Sequence, residues 1–220
     1  MGDVIRAELI CGKDGEYDKV VDVKEDYSVR QYAINRFNAK NATEEEKVLL
    51  ADMLQYGAQS QLYQNYKANK LITEGSDVAD IMAMASDFVV PETIKNIVGN
   101  QDTSNRINSA GVRISNVYQI YFRITKEANT KVFLQVGNKE KVDVTDKLEN
   151  GSLYTDAIKA TENDKVFTVS LVKDGEAEAT STITYSINSY VNSKYDSVQI
   201  RDLVKEISNY GKSANAYQSK

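Results

Sequence analysis

Apolar and polar positions follow the same order in two separate stretches of the chain. Near the N-terminus, Ala7-Glu8-Leu9-Ile10-Cys11 leads into Lys13-Asp14-Gly15-Glu16, then Val20-Val21-Asp22-Val23, then Tyr27-Ser28-Val29 with Tyr32 and Phe37. Near the C-terminus, Val166-Phe167-Thr168-Val169-Ser170-Leu171-Val172 leads into Lys173-Asp174-Gly175-Glu176, then Thr180-Ser181-Thr182-Ile183-Thr184, then Tyr185-Ser186-Ile187 with Tyr190 and Tyr195. An Asp-Gly pair between alternating stretches predicts a β-hairpin in each copy, because the turn needs a positive φ that Gly adopts at little cost. Ser28 and Ser186 stand just ahead of apolar periodic stretches. Their hydroxyls can accept hydrogen bonds from the free N–H groups of a helix start, so a short helix is expected after each hairpin.

A second helix follows in each copy, and here the match is closest. Leu49-Leu50-Ala51-Asp52-Met53-Leu54-Gln55-Tyr56-Gly57 aligns with Leu203-Val204-Lys205-Glu206-Ile207-Ser208-Asn209-Tyr210-Gly211, each pair 154 residues apart. Leu49, Met53, Tyr56, Ser60 and Tyr63 are spaced 4-3-4-3, as are Leu203, Ile207, Tyr210, Ala214 and Tyr217, which places each set on one helix face. The expected use of that face is packing, against the short helix of the same copy or the equivalent helix of the other. Gly inside a helix costs about 1 kcal/mol against Ala, so Gly57 and Gly211 at matching places point to close approach by another backbone. Thr43 followed by Glu44-Glu45-Glu46 reads as a helix start with acids at the positive end of the dipole, in preference to a metal site.

Between the copies the pattern changes. Residues 68–105 read as a linker with some ordered structure: a short helix from Val78 to Ala85, an interruption at Pro91, and a polar run from Gly99 to Asn105. From Gly111 onward alternation takes over, with Tyr118, Ile120, Phe122 and Ile124 on one face, then Val132, Leu134 and Val136, then Val142 and Val144, then Phe167, Val169 and Leu171. Short strands separated by turn residues predict an antiparallel sandwich of immunoglobulin-like build. The expected fold class is therefore α+β: an immunoglobulin-like β-sandwich with duplicated hairpin and two-helix units that pack together. The expected division is 1–105 for the N-terminal hairpin, helices and linker, 106–184 for the sandwich, and 185–220 for the C-terminal helices, packed with the N-terminal ones.

Composition narrows the chemistry. At 220 residues and 41% hydrophobic, the chain can build sizeable cores. Its 27 basic and 32 acidic residues leave a net charge of −5, and no Lys/Arg cluster of the kind that tracks a phosphate backbone stands out, so nucleic acid is not an expected partner. No apolar run approaches the roughly 18–20 residues that cross a bilayer, and no signal-like segment follows Met1-Gly2-Asp3. Zero His, zero Trp and one Cys remove imidazole acid/base catalysis, His/Cys zinc sites, Cys–His nucleophiles and internal disulfides. A non-enzyme without cofactor or metal is the expectation.

The remaining candidates follow from that. Cys11 reads as a small, half-buried strand hydrophobe rather than a reactive thiol. The stretch from Asn100 to Asn105 offers oxygen ligands but lacks the acidic spacing of a calcium loop, and reads as a surface loop. Asp143, Asp146, Glu149 and Asp156 are available to a hydrolase, yet their spacing selects no pair. Fourteen Tyr against five Phe favours side chains that pack on one side and reach water on the other. Tyr121 and Arg123, off the buried face of their strand, could stack on a sugar; a solvated strand face is the alternative.

Tyr56-Gly57-Ala58-Gln59-Ser60-Gln61-Leu62-Tyr63, the Tyr-Ser-Val and Tyr-Ser-Ile helix entries, and the stretch from Asn209 to Tyr217 together resemble a module of large surface or secreted proteins of gut Firmicutes. Its motif is of the type L-x-x-A-L-L-N-Y-G-A-A-A-Q-x-Y-F-x-Y, and the resemblance covers nearly the whole chain. The sequence departs from it in having Gln59-Ser60-Gln61 where small residues are usual and Gln64 in place of Phe. The resemblance implies a non-catalytic module, a spacer or interaction domain of a longer cell-surface protein, with no activity or catalytic residues to carry over. The partners it implies are other domains of the same polypeptide or a cell-surface protein, with glycan as the alternative. It also implies that Met1-Gly2 is not the native start and that the native signal peptide lies outside this sequence.

Overall fold

The computed structural model describes residues 8–13, 16–22, 28–92, 103–115 and 117–219, with side chains from residue 28 onward. The Asp14-Gly15 turn, the Cys11 side chain, Tyr27 and residues 99–102 lie outside the described residues. The architecture is α+β, with antiparallel sheets and five α-helices among the described residues. Two compact units divide the chain, Met1–Asp87 with Ser219–Lys220, and Phe88–Gln218. The closing helices belong to the same unit as the strands.

In the first unit, β1 (Glu8–Lys13) and β2 (Glu16–Asp22) form an antiparallel hairpin with an irregularity after Cys11. Helix α1 (Val29–Phe37) starts at Ser28, whose Oγ accepts from Gln31 N–H at 3.0 Å, and α2 (Glu44–Tyr63) starts at Thr43, whose Oγ1 accepts from Glu46 N–H at 3.2 Å. Helix α3 (Ala79–Met82) is only a turn long, shorter than the pattern suggests. Ala33, Leu50, Leu54, Ala58, Ile72, Val78 and Ile81 form the core.

The buried stripe of α2 runs one residue later than its 4-3-4-3 spacing indicates. Leu50, Leu54, Ala58 and Gln61 are buried, while Leu49 and Met53 are half-buried and Tyr63 is 52% exposed. Tyr56 and Gly57 are buried. Both Leu49 and Leu50 are apolar, so spacing alone leaves the choice open; the small Ala51 and Ala58 let neighbours come close on the side that is used.

Three polar residues on α2 are also buried, and each ties down a different segment. The Glu46 carboxylate receives both arms of Arg36, Nε at 2.7 Å and Nη2 at 2.6 Å. Asp52 accepts from Ser86 N–H and Oγ, both at 2.8 Å, and Gln61 Oε1 accepts from Ile72 N–H at 2.7 Å. Arg30 of α1 adds a further clamp, donating to the Asp77 carboxylate and to the carbonyls of Ile72 and Glu74.

The second unit holds two sheets. One has the order β3 (Arg106–Ile114), β4 (Tyr118–Thr125), β7 (Ser152–Tyr154). The other has the order β6 (Val142–Asp143), β5 (Thr130–Val136), β8 (Phe167–Lys173), β9 (Ala179–Tyr185), and every pairing in both is antiparallel. Alternation decides what each strand buries: Ile120, Phe122 and Ile124 on β4, Phe167, Val169 and Leu171 on β8, and Ile183 and Tyr185 on β9. Val132 and Val144 are buried as well. Val142, expected with them, is 57% exposed because β6 is a two-residue edge strand.

Helix α4 (Ile187–Lys194) begins at Ser186, whose Oγ accepts from Ser189 N–H at 3.0 Å. Helix α5 (Arg201–Gln218) buries Leu203, Val204, Ile207, Gly211 and Ala214. Within its unit it packs against α4, the short helix of the same copy, and against the 3-10 turn Ala160–Glu162 with Asn163. Asn163 Nδ2 donates to the Ile207 carbonyl at 2.9 Å, and the Asn163 carbonyl accepts from Asn188 N–H at 3.0 Å. A Cβ on Gly211 would stand 2.0 Å from Asn163 Nδ2 and 2.9 Å from the Ala160 carbonyl, so only Gly admits this turn. Tyr210 is half-buried and Tyr217 is 45% exposed. A straight helix drifts about 20° per heptad against a 3.5-residue repeat, which carries the last tyrosine off the packing face.

Two outcomes follow. Gly211→Ala should lower the unfolding free energy of the 88–218 unit by about 1–3 kcal/mol through overpacking, read from denaturant titration. The Arg36 guanidinium holds the Glu46 carboxyl below its ordinary 4.5. Its contribution is therefore complete above 4.5 and fades as pH falls through the lowered value; Glu46→Gln should flatten that acid limb in thermal melts.

Candidate binding surface

The register of β4 fixes two faces. Ile120, Phe122 and Ile124 point into the core, so Tyr121, Arg123 and Thr125 occupy the other face. Residues directly opposite share a face, which adds Gly111 and Arg113 of β3 and Ser152 and Tyr154 of β7. A bulge at Asn108 then shifts the phase of β3: Ile107 pairs with Ile124 and turns inward, and Arg106 pairs with Thr125 and turns outward.

Tyr121 does not project freely. Its hydroxyl oxygen Oη and the ring carbons Cζ and Cε1 stand 2.7–2.9 Å from where a Cβ on Gly111 would be, so the ring lies across the glycine. It is half-buried, tilted 44° to Tyr154 at a centroid distance of 6.3 Å. The Arg113 guanidinium sits 5.8 Å from the centre of the Tyr154 ring. Arg106, Arg113 and Arg123 are all exposed, and none forms an ion pair among the described residues.

Tyr185 closes the edge of this cluster. Burial pushes its phenol up to about 12, a Ser193 hydrogen bond pulls the other way, and the Tyr190 and Tyr121 hydroxyls raise it further.

Sequence pattern picks out Tyr121 and Arg123 but misses Tyr154, Arg113 and Arg106. The signal for Tyr154 and Arg113 is their cross-strand pairing, which one strand's alternation does not contain. Arg106 is hidden by the bulge, since strict alternation counts it with the inward positions. Of the four carboxylates open to a hydrolase reading, Asp143 is held below its ordinary 3.8 by hydrogen bonds from the Thr145 side chain and backbone and stands 3.8 Å from Lys131.

A separate open groove of about 400 Å³ lies in the same unit, between the Val89-Val90-Pro91 segment and α5, with Asn163, Asn188 and Lys212 on its walls. Phe88, 6.1 Å from the Tyr195 ring, and a 3.1 Å hydrogen bond from Asn192 Nδ2 to the Pro91 carbonyl anchor that segment. No helix among the described residues is long and apolar enough to cross a membrane, and no group of three potential metal ligands occurs among them. No family model, curated protein or solved structure matches the chain.

Gly111→Ala should drive the Tyr121 ring off its seat, changing the tyrosine near-UV circular dichroism and lowering stability by about 1–3 kcal/mol. Tyr121→Phe, which keeps the ring, should leave the stability within about 1 kcal/mol of the parent.

Proposed function

We propose that the chain is a non-catalytic interaction module of a longer bacterial cell-surface or secreted protein, acting through the outer face of its three-stranded sheet. The observation that carries this reading is the Tyr121–Tyr154 pair, with Tyr121 seated over Gly111 and exposed arginines on the same face. An aromatic pair presented on a rigid sheet is a binding surface with its geometry already set. In this reading the two sheets are the layers of an immunoglobulin-like sandwich. The hairpin–helix–helix order at 8–63 and again at 167–218 is a duplicated unit, and the matching Ser28 and Ser186 caps support it. Partners would be neighbouring domains, another surface protein or glycan; half-buried tyrosines, apolar in body and polar at the tip, favour glycan.

Affinity electrophoresis in gels cast with neutral and acidic polysaccharides tests the reading. The parent chain should be retarded in at least one gel, and Tyr121→Ala and Tyr154→Ala should each abolish most of that retardation. Unchanged mobility in all gels, equal retardation of both variants, or release of reducing sugar ends by the chain would each overturn it.

A further inference from the structure

We infer that the ligand of this face is an acidic polysaccharide, its sugar rings on Tyr121 and Tyr154 and its carboxylates on Arg113 at one end and Arg123 with Arg106 at the other. The inference rests on the binding role proposed for the face and adds the ligand's charge. The chain is acidic overall, at −5, yet three of its seven arginines stand on these two strands and face the same way. None of them forms an ion pair among the described residues; the exposed Asp156 lies beyond the end of β7, and Glu149, bridged to Ser152 opposite Arg123, is the one acid in their rows. Cations placed only to keep a surface soluble are normally interspersed with acids.

Spacing gives the array direction. Arg113 pairs with Gln119, four positions from Arg123 on β4, which is about 13 Å at 3.3 Å per residue. The two tyrosines sit midway: Tyr121 is two residues from Arg123, and its partner Gly111 is two residues from Arg113. Guanidinium forks bind carboxylates in two-point fashion, and phenol rings accept the apolar face of a sugar. A polymer with a carboxylate on either side of a ring face fits the order cation, side-by-side aromatic pair, cation. Single-stranded DNA, also charged on every unit but without a pyranose ring to lie on a phenol, separates sugar recognition from plain polyanion binding.

The test is mobility of the intact chain in gels containing polygalacturonate, a neutral glucan, or single-stranded DNA. Retardation should be strongest with polygalacturonate and should fall as salt rises from 0.05 to 0.5 M, values set on the order of the screening range. Arg113→Ala and Arg123→Ala should each weaken it about tenfold, the scale of one charge-assisted contact, with unchanged thermal melts. Arg123→Glu should weaken it more than Arg123→Ala. Retardation by neutral glucan that the arginine variants leave intact would overturn the acidic assignment while sparing the tyrosine surface. Equal retardation by DNA would overturn it in favour of plain polyanion binding, and no retardation in any gel would overturn both proposals together.

Discussion

The inward row of β4 governs the unit that carries the candidate surface. Ile120 and Phe122 are fully buried and Ile124 nearly so, which leaves the strand one permitted register. A slip by one residue would exchange the two faces completely, sending a phenylalanine into water and an arginine into the core. The outward direction of Tyr121 and Arg123 is therefore set by apolar burial on the opposite side of the strand. β3 and β7 inherit the same constraint through pairing, so one hydrophobic row positions polar groups on three strands.

The first unit solves a different problem. Its long helix is not a clean amphipathic rod, because Glu46, Asp52 and Gln61 are buried along with its apolar side chains. Each is compensated by two-point pairing or by a backbone N–H that would otherwise lack a partner. Breaking any one of them would leave a buried polar group unmet, which costs more than the bond contributes when made. Those residues thus specify which loop lies where, while the leucines and alanines supply cohesion.

Elements with local causes were legible from the chain. The hairpins, the hydroxyl caps at Ser28, Thr43 and Ser186, and the alternation of β4 and β8 depend on neighbours in sequence, and each lies where the pattern puts it. What escaped depends on partners far along the chain. The cover of α5 is a turn at 160–163 with no helical signature, so the reason for Gly211 appears only when Asn163 arrives against it. The stripe of α2 is decided by what packs on it, and the choice between Leu49 and Leu50 is invisible to spacing. Half of the candidate surface was missed for the same reason: Tyr154 joins Tyr121 across a strand pair 33 residues apart in sequence.

The seat of Tyr121 on Gly111 also bears on the cost of association. An exposed tyrosine ordinarily gives up rotational freedom when a ligand presses on it, a loss of roughly 0.5–1.5 kcal/mol for each immobilised side chain. Here folding has already reduced that freedom, because the missing Cβ leaves room for the ring over Gly111 and the Tyr154 ring stands 6.3 Å away on the neighbouring strand. A glycine without any contact of its own to offer thus makes the surface stiff before anything binds, and the entropy of recognition is settled when the strand pair forms.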